Sequence, residues 1–158
     1  MKSRRTFGTK ESFQKGFTLV EILVVVGLFG IILGLSLPVG VDFYRSYLFR
    51  SEKSMLVSVL QKARSEAMNN IDETTHGVHI DDKGYTIFRG EFFNEGSISN
   101  EFIAKNPSIA VSTSTDIIFE QLTGDPVPPF GGGEATTTIT DGIHTEVITI
   151  NNEGRINY

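Results

Sequence analysis

The chain has no cysteine. That excludes a disulfide, a thiolate metal site, a lipidated cysteine and a cysteine nucleophile. Its 158 residues hold no phosphate-cradling glycine loop, dinucleotide fingerprint or nucleophile elbow. Proline is missing from residues 39–106, so no ring breaks a helix there from within. Charge is missing from Ile22–Val41. Basic residues are scarce beyond the start. Residues 1–16 carry a net +4, while residues 17–158 hold 9 basic and 18 acidic side chains, a net −9. A basic head therefore precedes an apolar run and an acidic body.

Ile22–Val41 is the length of a membrane helix, since about 20 residues at about 1.5 Å each span roughly 30 Å. Basic residues beside such a span stay in the cytoplasm, which places the body outside it. Three readings compete. A cleaved secretory signal has a shorter core, of about 7–15 residues, and a small-x-small site that "LSLPVG" fits poorly. A plain signal anchor explains length and charge bias but leaves Glu21 as a tolerated rim residue. At mid-membrane such a carboxylate costs roughly 3 kcal/mol, and less near the interface. The third reading uses Gly16. A cut after it gives Phe17 a free ammonium four residues before Glu21. Carboxylate and ammonium would then relieve each other's desolvation, within one chain or between neighbours.

The stretch "KGFTLVEILVVV" closely resembles the class III signal of type IV prepilins and pseudopilins. The resemblance implies that a prepilin peptidase cuts between Gly16 and Phe17 and N-methylates Phe17. It implies that Glu21, fifth in the mature chain, pairs with the Phe17 amine of an adjacent subunit. It also implies partners: other pilin or pseudopilin subunits, an inner-membrane assembly platform and the lipid bilayer. The chain would cross the bacterial inner membrane once, with a cytoplasmic N-terminus and a periplasmic or extracytoplasmic body, before entering a filament.

Within the run, Gly30 and Gly34 form a small-xxx-small pair suited to close helix contact. Helix softness is the reading favoured here, because glycine weakens helices and Pro38 adds a kink nearby. By resemblance to related filaments, Gly30–Pro38 is the segment that can lose helical structure. Past the membrane, Leu48, Met55, Leu56, Val59, Leu60, Ala63 and Ala67 recur at helical spacing as one apolar stripe. Asn69 and Asn70 are stop residues. From Phe17 to Asn70 the helix would be about 80 Å long.

After Asn70 the period changes. "GVHI" and "YTIF" around "DDKG" signal a hairpin. "SIAVS", "DIIFEQ", "ATTTIT", "TEVITIN" and "RINY" are further short strands. The expected fold is α+β: a long helix with an antiparallel sheet covering its distal half. The expected divisions are a leader 1–16, an assembly helix 17–41, an amphipathic half 42–70 and a β-rich domain 71–158. "QKARSEAMNN", "GYTIF" and "ITINNEGRI" resemble the GspH/FimT group of minor pseudopilins. "TGDPVPPFGGGE", Thr123–Glu134, reads as an irregular exposed loop, a surface insertion in preference to a contact loop.

The remaining candidates carry little chemistry. His76, His79, Asp81 and Asp82 could suggest a metal, but the spacing favours surface polarity, with His76 in a turn and His79 and Asp81 on one strand side. His144 and Glu146 read as cross-strand polar surface. Ser65 and Glu66 have no identifiable general base, so packing or capping is preferred. No cofactor, metal or catalytic residue is assigned. Nucleic-acid binding is disfavoured, because the body from Asp42 onward carries a net −8. Arg45, Arg50 and Lys53 are its one local basic cluster, and lipid headgroups are their simpler partner. The sequence therefore reads as a filament subunit, with a membrane-anchored binding module, including a DNA-uptake pilin, as the alternative.

Overall fold

A computed structural model describes residues 16–113, 116–127 and 134–158, apart from the side chains of residues 35–39. Most of the expected leader, the Pro38 side chain and the centre of the proline- and glycine-rich loop lie outside the described residues. The chain divides into two compact units, Met1–Asp42 and Phe43–Tyr158.

Helix α1 covers Leu19–Met68. In the first unit its described side chains, from Phe17 to Leu33, are exposed and almost all apolar. Gly30 and Gly34 lie inside the helix with no atom within 4 Å of a built Cβ. Among the described residues no helix is long and apolar enough to cross a membrane. The expected span Ile22–Val41 includes residues 35–39, whose side chains are not described.

The second unit begins with the distal part of α1, which ends where the asparagines predicted. Met68 is its last residue, and Asn70 adopts the left-handed conformation at φ 56°. Asparagine tolerates that geometry better than most residues. The Asn69 amide donates to Ser65 O at 2.8 Å and closes the last turn. A short 3-10 turn, Ile71–Glu73, leads into the strands.

Eight strands follow: β1 His76–Ile80, β2 Gly84–Arg89, β3 Glu101–Ala104, β4 Ala110–Thr113, β5 Ile117–Phe119, β6 Ala135–Thr140, β7 Thr145–Ile150 and β8 Ile156–Asn157. They form two four-stranded sheets, β3-β2-β1-β5 and β4-β6-β7-β8, with every pairing antiparallel. The α+β arrangement expected from the sequence is present, with its strands in two sheets instead of one. The "DDKG" hairpin forms as read: Ile80 faces Tyr85, and the Asp81 carboxylate accepts from the Lys83 and Gly84 amides at 2.8 and 2.7 Å.

The helix buries Leu56, Val57, Val59, Leu60, Ala63 and Ala67. They meet Val78, Tyr85 and Ile87 of β1 and β2, Ile117 and Phe119 of β5, Ala135 of β6, and Ile148 and Ile150 of β7. A smaller cluster joins Phe49, Ile109 and Ile139. The apolar stripe is wider than the sequence suggested, because strands of both sheets contribute to its cover. Met55, expected inside it, is exposed, while Val57 and Phe49 are buried.

Candidate functional site

Gly16, Phe17 and Thr18 are exposed and non-helical. The Gly16–Phe17 peptide bond thus stands outside the helix. Thr18 begins the helix. Its Oγ1 accepts from the Glu21 amide at 3.2 Å, and its carbonyl accepts from the Ile22 amide at 3.2 Å. This is the Thr half of a Thr-x-x-Glu capping arrangement, which satisfies one of the donors a helix start leaves orphaned. The sequence reading missed that role, although the spacing Thr18–Glu21 signals it.

Glu21 lies exposed in the first turn, where a negative charge is favoured by the helix dipole. The ion pairs among the described residues all lie in the second unit, and none involves Glu21. Phe17, Leu19, Ile22, Leu23 and Val26, its neighbours in sequence, are exposed and apolar. The arrangement presents an exposed, non-helical Gly16–Phe17 bond and a carboxylate on an apolar helix segment.

The other sequence candidates are placed by the second unit. His76 is a correction: it opens β1 and is fully buried, not in a turn. Its Nδ1 donates to Thr74 O at 3.2 Å, and its Nε2 lies 3.8 Å from Glu66 Oε2. The strand starts early because His76 pairs with both Arg89 and Phe119. His79 pairs with Asp116 at 2.6 Å rather than sharing a side with Asp81, which caps the hairpin. Asp82 is exposed. No group of three or more metal-ligating side chains occurs among the described residues.

His144 lies in the turn before β7, not on the strand, and its Nδ1 donates to Asp141 Oδ2 at 3.0 Å. That hydrogen bond, with the His144 amide at 2.6 Å, holds the Asp141 carboxyl down at about 2. Glu146 reaches the helix, where Lys53 Nζ approaches at 2.7 Å. Lys53 is thereby removed from the expected basic cluster. Ser65 is an exposed helical residue whose carbonyl and hydroxyl accept from the Asn69 amide. Glu66 approaches Lys62 at 3.9 Å and the buried His76.

Two ties escaped the sequence reading. Glu52 is a buried carboxylate on α1. It accepts from the Tyr85 hydroxyl at 2.7 Å and from the Asn106 amide at 3.2 Å. Burial and the neighbouring carboxylate push the Tyr85 phenol well above its ordinary range, so it remains a donor. Arg64 clasps two loops, donating to Gly124 O at 3.1 Å and Glu153 O at 2.6 Å. Gly124, part of the loop expected to be exposed, is buried beneath it. Only an arginine within "ARSEA" hinted at this.

A family model described as "Prokaryotic N-terminal methylation motif" matches residues 12–37. This range contains Gly16, Phe17, Thr18 and Glu21 together. The N-terminal segment therefore carries that motif, which is confined to the start of the chain. The chain is similar to a type IV major fimbrial protein FimA of Dichelobacter nodosus, 36% identical over 55 residues, which cover 35% of this chain and 33% of the relative. A second FimA of that organism is 31% identical over 83 residues, 47% of this chain and 49% of the relative. The chain spans about a third to a half of the length of these pilin relatives. No solved structure matches.

Proposed function

We propose that the chain is a processed filament subunit, a minor pseudopilin or pilin of a type II secretion or type IV pilus-like machine. The observation that carries this reading is the geometry at Gly16–Glu21. An exposed, non-helical Gly16–Phe17 bond is followed at once by a capped helix, with a carboxylate in its first turn that no described cation engages. Inside the matched motif this supports cleavage after Gly16 and N-methylation of Phe17 by a prepilin peptidase. The basic head and the apolar run support a single inner-membrane crossing before assembly, with the body outside the cytoplasm. The strand pattern after "ARSEA" supports the GspH/FimT subgroup.

Cleavage would leave an ammonium two residues before the helix. A positive charge is disfavoured at that end of the dipole. A neighbour's Glu21 would offset that cost, and its own desolvation would be offset in return. Sequential pairing of this kind sets axial register, as a buried polar residue does in a coiled coil. Gly30 and Gly34, with open space around them, and Pro38 would let the helix adjust as neighbours pack. The net −8 of the body argues against direct nucleic-acid contact.

Glu21→Gln tests the register role. The variant should insert into the membrane and be cleaved normally, yet enter sheared filaments at least tenfold less than the wild type. Incorporation at the wild-type level would sink that role.

A further inference from the structure

The β2–β3 connection, Gly90–Asn100, carries two apolar side chains that the fold does not use. Phe92 is 83% exposed and Ile98 is fully exposed. Such residues scattered singly need no explanation, but these two stand on a loop built to hold them. Phe93, next to Phe92, stacks on the His79 ring at 3.9 Å and meets Phe88 edge-on at 5.6 Å. His79 is fixed in turn by Asp116. The Asn94 side chain accepts from the Gly96 amide at 3.1 Å, and Asn94 O accepts from the Ser97 amide and the Asn100 side chain at 3.1 and 2.8 Å. The loop is thus ordered by its own hydrogen bonds, and little freedom remains to be lost on docking. Glu91 and Glu95 flank the knob, exposed and in none of the ion pairs among the described residues.

A complementary surface lies on α1 of the same unit. Phe43, Tyr44, Tyr47 and Arg50 share one helix face at spacings of one, four and seven, and all are exposed, Phe43 at 75% and Tyr47 at 61%. Arg50 also has no ion pair among the described residues. The two surfaces cannot meet within one molecule. Gly90 is tied to Thr75 O at 2.8 Å, and the adjacent His76 lies beside Glu66. From Tyr47 to Glu66 the helix advances 19 residues, roughly 30 Å.

We propose that the acidic, apolar knob of Phe92, Ile98, Glu91 and Glu95 docks on the Phe43–Tyr47–Arg50 helix face of a second copy of this chain. Charge complementarity selects that occupant: an acidic rim meets an arginine on an aromatic surface. In its heterologous form the contact joins each copy's knob to the next copy's helix face, whereas a reciprocal pair of the same contacts would close a dimer. Repetition of the heterologous form then gives an open, head-to-tail row rather than a closed dimer. This rests on the filament-subunit reading and adds to it a contact outside the N-terminal helix segment.

The absence of cysteine makes the test clean. The full chain carrying both Phe92→Cys and Tyr47→Cys is expressed in its native membrane and treated with a short bifunctional maleimide. A ladder of dimers, trimers and larger species is expected from the double variant, and none from either single variant. Glu91→Lys with Glu95→Lys should reduce the ladder at least tenfold, and adding Arg50→Glu should restore most of it. A dimer from Phe92→Cys alone, or no ladder from the double variant, overturns the contact. So does a Tyr47→Cys shielded only by lipid. Processing at Gly16 is read by mass in the same samples. A processed chain without a ladder refutes the docking and leaves the filament reading standing. A ladder from an unprocessed chain supports the docking and refutes that reading.

Discussion

At the scale of single residues, Glu21 has a modest duty and a proposed larger one. Its backbone amide is held by Thr18, and its carboxylate sits at the favoured end of the helix dipole, an effect worth about 0.3–1 kcal/mol. Loss of assembly in Glu21→Gln beyond that cost would belong to a partner. Thr18→Ala isolates the cap: it should fray the first turn, at about 1 kcal/mol. Faster hydrogen exchange of the Glu21 amide, with little change beyond Leu28, is the expected reading. Tyr85→Phe would leave the buried Glu52 short of its best donor. A loss of about 1–3 kcal/mol in thermal unfolding is expected. Asp141 makes a pH prediction. Its folded pKa lies below the ordinary carboxylate value, so its contribution is complete above about pH 4 and is lost as pH falls through about 2. In melting curves of the full chain, wild type should lose stability across that window relative to Asp141→Asn. Equal slopes would show that His144 does not hold this carboxylate.

At the scale of elements, the sequence was informative where chemistry is local. The Asn69–Asn70 stop, the "DDKG" hairpin and the extents of β6 and β7 follow from residues a few positions apart. β3 went unread because Glu101–Ala104 is a four-residue edge strand whose Phe102 is exposed. His76 was misread as a turn residue because its burial depends on Glu66 and Phe119, both distant in sequence. The division into two sheets depends on which strands pair, and alternation within one strand does not reveal that. The clasp of Arg64 was hidden for the same reason. It joins loops 60 and 89 residues away, where Gly154 packs so closely that a Cβ would lie 2.1 Å from Gly124 O. Gly154 also sits at φ +71°. Gly154→Ala should therefore destabilise the second unit by on the order of 2–3 kcal/mol, read from thermal unfolding. A neutral result would mean that the two loops are not pressed together.

At the scale of the whole molecule, the division of labour follows from what each part exposes. Among the described residues, the first unit presents apolar side chains, with the carboxylate of Glu21 near its start and that of Asp42 at its end. The second has a core of its own, closed by Glu52–Tyr85, Arg64 and Lys53–Glu146, and an acidic outer surface. Gly16, Phe17 and Glu21 stand out in the sequence through their resemblance to the prepilin signal, and the matched motif contains all three. What the resemblance could not supply was the state of the bond and the helix start. The structure adds that Gly16 and Phe17 are exposed and that Thr18 caps the helix behind them. Processing at that bond is the central claim, since it creates the amine that Glu21 is proposed to meet. Intact-mass measurement of the protein from its native membrane tests it most directly. A chain starting at N-methylated Phe17 is predicted, and a chain starting at Met1, in cells with an active prepilin peptidase, would contradict it.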